Sequence, residues 1–202
     1  MKPVKDPMKK NLYLNFKRWI DVIAALGLLI ILSPLLTMIG LIIKLESSGP
    51  LLFKQVRLGL DSKPFTIYKF RTMVNHAPRN IPTNDLNDPH TFVTRFGRFL
   101  RLFSLDELPQ LVNILRHDMA LIGPRPVIPA ETELIERRKA LGADQILPGV
   151  TGYAQINGRD DLDYVAKSDF DAYYAHHVSL GLDLKIMLLT AVKILKSEHV
   201  SH

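Results

Sequence analysis

The sequence contains no cysteine. That excludes disulfide scaffolds, thiolate nucleophiles and cysteine-based zinc sites, so any nucleophile has to be an oxygen or nitrogen group. It has no internal repeat, no low-complexity tract, no Walker phosphate loop and no dinucleotide-binding glycine fingerprint. It is also short of acid: 20 Asp and Glu stand against 26 Lys and Arg, a formal charge of +6, so the preferred partners are anionic. Nucleic acid, anionic lipid and phosphorylated metabolites all meet that condition. A chain of 202 residues with 47% apolar composition supports one well-packed core and not two. The expectation is an anchor over residues 1–44 and a single catalytic domain over 45–202.

Long uncharged stretches are scarce as well, and the one present is informative. Residues 22–43 (VIAALGLLIILSPLLTMIGLII) carry no charge. As a helix they would reach about 33 Å, enough for a hydrocarbon core of ~30 Å. The run is too long for a cleavable signal peptide and no small-residue cleavage pattern follows it. Ser33-Pro34 sits at its midpoint, where proline removes a backbone donor and a kink is expected. Lys2, Lys5, Lys9, Lys10, Lys17 and Arg18 precede the run, and Lys44, Lys54, Arg57 and Lys63 follow it. Positive charge favours the cytoplasmic side at both ends. A helix that enters, bends at Ser33-Pro34 and returns satisfies both flanks, whereas a straight span strands one of them; these residues alone leave the two topologies level. Asp21, at the basic edge, is expected to pair with Lys17 or Arg18 at headgroup level.

Beyond the anchor, residues 50–58 and 64–73 are rich in aromatic and branched side chains and are separated by Gly59-Leu60-Asp61-Ser62, which predicts a β-hairpin. Residues 75–91 are polar and hold three prolines, the pattern of a long functional loop. His76, Asp85, Asp88 and His90 fall in it without a rigid metal-ligand spacing. TRFGRFLRLF, residues 94–103, predicts a basic amphipathic helix with Phe96, Phe99, Leu100 and Phe103 on one face, suited to a headgroup layer. Further helices are expected around 109–115, 131–140, 162–174 and 182–196. The fold class is therefore α+β, mostly helical, with interfacial helices and one small hairpin.

Three constellations could carry chemistry. Ser104-Leu105-Asp106-Glu107 fits a capping box, with Ser104 as N-cap and Glu107 returning to its amide. The same carboxylates at a helix start could instead serve phosphoryl chemistry, Asp106 as nucleophile, as magnesium ligand, or as both. Gly123-Pro124-Arg125-Pro126 fixes the backbone around a guanidinium whose planar fork matches phosphate oxygens. The segment from Gly149 to Arg159 has three glycines that would allow close approach to a ligand. A carboxylate pair, many basic groups and a nearby bilayer together fit phosphoryl transfer at a membrane surface.

In this order, KRWIDVIAALGLLIILSPL, YKFRTM, SLDELPQL, GPRP, PGVTGYAQINGR and LDLKIM resemble the small monotopic phosphoglycosyl transferases of the bacterial sugar transferase family. The resemblance runs from about Lys17 to Lys196 and implies the minimal, catalytic-core form. It implies a UDP-sugar donor, a polyprenyl (undecaprenyl) phosphate acceptor, UMP as product, Mg2+ as cofactor, and a monotopic position on the cytoplasmic face of the bacterial plasma membrane. On it, Asp106 is the nucleophile that holds the phosphosugar and helps hold the metal, Glu107 its partner in the dyad, and Arg101 and Arg125 bind phosphate. Lys69, Arg71, Gln155, Asn157 and Arg159 become donor contacts, Asp183 matches a further carboxylate that N-capping would equally explain, and Ser33-Pro34 matches the break of a re-entrant helix. The partners implied are donor, acceptor and lipid bilayer, with homodimerisation left open and nucleic acid excluded for want of a recognition motif. A cation-dependent hydrolase and a non-catalytic membrane scaffold are the rival readings.

Overall fold

In the computed structural model, residues 7–74, 77, 92–158 and 161–195 are described. Two helices come first, α1 (Pro7–Ile31) and α2 (Ser33–Glu46), bent by 63° relative to one another. Among the described residues no single helix is long and apolar enough to cross a membrane, whereas the bent pair meets that test together. The bend falls where the sequence places it. Pro34 cannot donate to the ladder, and the hydroxyls of Ser33 and Thr37 donate instead to the carbonyls of Ile30 (2.8 Å) and Ser33 (2.9 Å). Leu12, Trp19, Ile23, Ile30 and Ile31 of α1 and Met38, Leu41 and Leu45 of α2 stay exposed, a density of apolar surface that a water-facing helix pair does not normally carry.

The other edges of the pair are built into the domain. Ile39 and Ile43 of α2 pack with Phe70 and Leu100, flanked by Leu105. Ala25 and Leu29 of α1 meet Ile67, Leu111, Ile114 and Met119. Tyr13 and Leu14 cover a third cluster made by Ile122, Ile146, Ile156, Tyr174 and Ile186.

The predicted hairpin forms as β1 (Leu52–Leu58) and β2 (Pro64–Phe70), antiparallel with Leu52 opposite Phe70 and Leu58 opposite Pro64. Its turn closes through Gly59 N–H to the Lys63 carbonyl at 2.8 Å, with Asp61 and Ser62 at φ 54° and 56°. α3 (Arg95–Leu102) follows, capped by the Thr94 hydroxyl, which accepts from Gly97 N–H at 2.9 Å. A Cβ on Gly97 would stand 2.2 Å from the Thr72 carbonyl oxygen, so only glycine lets α3 lie this close to the end of β2. The expected single face of α3 is divided. Leu100 is fully buried, while Phe99 and Phe103 are exposed and in ring contact, centroids 5.0 Å apart.

A 3-10 helix (Leu105–Gln110) leads into α4 (Leu111–Leu115), then β3 (Ala120–Ile122), α5 (Thr132–Ala140), β4 (Gly149–Thr151), α6 (Tyr153–Ile156), α7 (Tyr164–His177) and α8 (Leu180–Leu195). Each helix expected after residue 105 is present in this set. β3 and β4 pair in parallel, Ala120 with Gly149 and Ile122 with Thr151. Three residues per strand are too few for a period to show in sequence. Buried Asn113 ties α4 to the hairpin, accepting from Tyr68 N–H (3.1 Å) and donating to the Thr66 carbonyl (2.7 Å).

Candidate active site

Asp106 and Glu107 sit on the 3-10 helix, both buried. α3 cannot continue into it, because Ser104 takes a left-handed conformation at φ 55°, and Pro109 inside the next turn has no N–H to give. The capping box is therefore not formed. The Ser104 side chain makes no cap bond, and Glu107, whose amide donates to the Ser104 carbonyl at 3.2 Å, turns its carboxylate elsewhere. Leu105 of the same turn packs against the cluster that Ile39 and Ile43 of α2 form with Phe70 and Leu100.

Glu107 Oε1 accepts from Lys69 Nζ at 2.7 Å and from Arg125 Nη1 at 3.4 Å. Lys69 comes from β2, and Arg125 from the loop after β3. Arg101, in the last turn of α3, is oriented by a 2.9 Å bond from its Nε to the Thr72 hydroxyl. Thr72 is a positioning group that the sequence reading did not single out, although it stands inside the YKFRTM segment. Among the described residues no hydrogen bond is made to the Asp106 carboxylate, which lies instead in the combined field of Lys69, Arg101 and Arg125. Burial pushes Asp106 above the ordinary carboxylate range, Lys69 pulls it back, Glu107 raises it again, and Arg101 and Arg125 oppose. Burial likewise lowers the pKa of Arg101, with Asp106 working against the drop. Among the described residues, three cations thus face two carboxylates, a balance that suits an anionic ligand such as a diphosphate.

The other candidates are placed differently. Arg71 is buried, and its guanidinium donates to the carbonyls of Ser47 (2.6 Å), Ser48 (2.9 Å) and Ile43 (3.3 Å), closing the C-terminal end of α2. Gln155 Nε2 donates to the Val150 carbonyl (2.9 Å) and Asn157 Nδ2 to the Tyr153 carbonyl (2.7 Å), so both serve their own segment. Asp183 lies within the first turn of α8 and is not its N-cap. It accepts from Tyr174 (2.6 Å) and Tyr13 (2.7 Å) and pairs with Lys17 at 3.0 Å, a set of partners that shares no residue with the surroundings of Asp106. Asp21 pairs with Lys17 at 3.1 Å, as expected, and is buried. The glycines of the third constellation approach backbone: a Cβ on Gly149 would meet Gly123 N at 2.1 Å, and one on Gly152 the Gly123 carbonyl at 2.1 Å. Arg159, and His76, Asp85, Asp88 and His90 of the loop, lie outside the described residues. Among the described residues no group of three or more His, Asp or Glu is arranged to hold a metal.

The model of the family described as bacterial sugar transferase matches residues 12–197. The chain belongs to that family. By this membership it is an enzyme of the phosphoglycosyl transferase kind. It is 43% identical over 188 residues to an uncharacterized sugar transferase of Bacillus subtilis (strain 168), covering 91% of this chain and 89% of that protein. It is 39% identical to the UDP-glucose:undecaprenyl-phosphate glucose-1-phosphate transferase of Escherichia coli (strain K12), covering 95% of this chain but only 42% of that longer protein. The undecaprenyl-phosphate galactose phosphotransferase of Salmonella typhimurium is 38% identical, with 96% of this chain and 44% of the relative aligned.

Proposed function

We propose that this sugar transferase moves a sugar 1-phosphate from a UDP-sugar to polyprenyl phosphate in two steps through Asp106. The observation that carries the proposal is Asp106 itself: a buried carboxylate with no hydrogen bond from the described residues, ringed by Lys69, Arg101 and Arg125. A structural carboxylate in such a place would be satisfied; one left open toward cations is suited to attack. In the first step an Asp106 oxygen bonds to the sugar-bearing phosphorus as the bond from that phosphorus to the bridging oxygen breaks, and UMP departs with that oxygen. The phosphosugar is then an acyl phosphate on Asp106. In the second step a lipid phosphate oxygen attacks the same phosphorus, the bond to Asp106 breaks, and the carboxylate is restored. Donor and acceptor need not be bound together, because the covalent step separates them.

Glu107 is better placed to organise than to take a proton, since its Oε1 already accepts from Lys69 and Arg125. Both cations are thereby held beside Asp106. They stabilise charge that builds on the transferring phosphoryl oxygens. Magnesium fits the oxygen chemistry of Asp106 as a metal carried largely by the donor's phosphates, held by one or two carboxylates and otherwise by substrate. When bound it would offset diphosphate charge and draw Asp106 toward its ionised form.

The bent pair α1/α2 is read as re-entrant, with both basic flanks on the cytoplasmic face of the plasma membrane. The 63° break, the exposed apolar side chains and the Arg71 closure of α2 support that topology. Relatives named for glucose and galactose transfer make UDP-glucose and UDP-galactose the first donors to try.

The test supplies magnesium, a UDP-sugar panel and undecaprenyl phosphate to protein in nanodiscs and follows UMP release, with intact mass read without acceptor. A phosphosugar adduct on wild type and none on Asp106→Asn, with release sustained only by lipid, is expected. Sustained release without lipid would mean a hydrolase.

A further inference from the structure

Between β3 and α5 the chain passes through Pro124-Arg125-Pro126-Val127, and each of these carbonyls is taken by a donor from elsewhere in the fold. Gly149 N–H donates to the Pro124 oxygen (2.9 Å) and Leu58 N–H to that of Val127 (2.9 Å). The two between them are held by side chains: Arg138 Nη1 donates to the Arg125 carbonyl (2.8 Å) and Arg57 Nη1 to that of Pro126 (3.1 Å). The prolines restrict φ on either side of Arg125. A segment held at every carbonyl cannot tilt without breaking a bond, and the side chain it presents is the guanidinium that reaches Glu107.

The anchoring of Arg138 is equally specific. It is buried on α5 and paired through Nη2 with Asp171 of α7, whose side chain is 1% exposed. A buried ion pair is a weak source of stability, because desolvation opposes the attraction. What this pair supplies without substitute is a rigid donor under the Arg125 carbonyl. Arg57 is steadied in turn by a 2.9 Å bond from its Nε to Gln55.

We infer that Arg138, oriented by Asp171, and Arg57 are positioning residues that set the Arg125 guanidinium against Glu107 and the donor's diphosphate. The inference rests on the Asp106 reading above.

A double-mutant cycle against Arg125 tests it, because a merely structural role would not depend on that side chain. The clamp is broken in two ways: Arg57→Gln, at a half-buried site, and the combined Arg138→Met/Asp171→Leu, which removes both charges of the buried pair together. Each is expected to lower kcat/KM for the donor by about tenfold with Arg125 present. The loss should shrink below about twofold in an Arg125→Ala background. Equal losses in both backgrounds, or no loss with Arg125 intact, would overturn the inference. Should the combined variant not fold, the Arg57→Gln cycle decides alone. If the wild type turns over no donor at all, the failure belongs to the functional reading, and calorimetric UDP affinity on the same six proteins then decides the positioning claim by the same non-additivity.

Discussion

Two buried clusters among the described residues, one around Asp183 and one around Asp106, are built from the same groups, carboxylates and cations, and are finished in opposite ways. Around Asp183, Lys17 bridges Asp21 (3.1 Å) and Asp183 (3.0 Å), two tyrosine hydroxyls donate to Asp183, and Leu121 N–H donates to Asp21 at 3.3 Å. Each carboxylate is satisfied, and α1 is thereby fixed to α7 and α8. Around Asp106 the dyad is held and its second member satisfied, yet among the described residues Asp106 receives no hydrogen bond and the cations outnumber the carboxylates. The first arrangement suits a structural joint; the second suits a site that awaits an anion. The two buried carboxylates are separated by what surrounds them.

Changes at the two aspartates should therefore part activity from stability, and the sharpest break is at Asp106. On the proposed two-step mechanism, Asp106→Asn should cut turnover at least about 10³-fold by UMP release, since it removes the group proposed to carry the phosphosugar. The same change should leave the melting temperature at neutral pH unchanged or raise it. Asp106 has a folded pKa above its unfolded value. The folded state then binds the proton more tightly, so this group favours folding at low pH, and that benefit is lost as pH rises through the folded pKa. A lower melting point at pH 7.5 would contradict the assignment.

Asp183→Ala should do the converse. Removing Asp183 takes from buried Lys17 one of its two carboxylates and from the Tyr13 hydroxyl its acceptor, and should cost about 3 kcal/mol. That corresponds to a melting point lower by about 10 °C by calorimetry in detergent. Protein that remains folded should keep its kcat. Loss of kcat in well-folded Asp183→Ala would place Asp183 in the chemistry and erase the contrast.

The pH profile sharpens the same comparison. The proposed attack requires ionised Asp106, so on that mechanism kcat/KM should rise with pH through the raised pKa. Lys69 is the largest cationic influence lowering it, so Lys69→Met should move the rise to higher pH, besides reducing the plateau. A profile that stays in place would remove Lys69 from the field of Asp106. The smallest effect is expected at Tyr174→Phe, which deletes one donor to Asp183 and should destabilise by about 1–2 kcal/mol with kcat unchanged.

Much of the architecture was legible because it is local. The Ser33-Pro34 bend, the hairpin around Gly59 to Ser62, the arginine-rich helix and the helices after it each follow from a period, a turn residue or a proline within a few positions. Asp106, Glu107, Arg101, Arg125 and Lys69 were legible as a set only through the order of motifs, and the structure brings these five together. Arg71 and Lys69 stand two apart in one segment and part company, because Arg71 lies past the end of β2 and turns to the open carbonyls of α2.

The amino-acid sequence by itself determined where the backbone bends, which stretches are apolar and which polar groups are available. Only the tertiary structure decided which of those groups became joints and which stayed open. The reason is physical: a charge's role depends on the partners and the water around it, and those partners arrive from positions as distant as Lys69 to Glu107 or Tyr13 to Asp183.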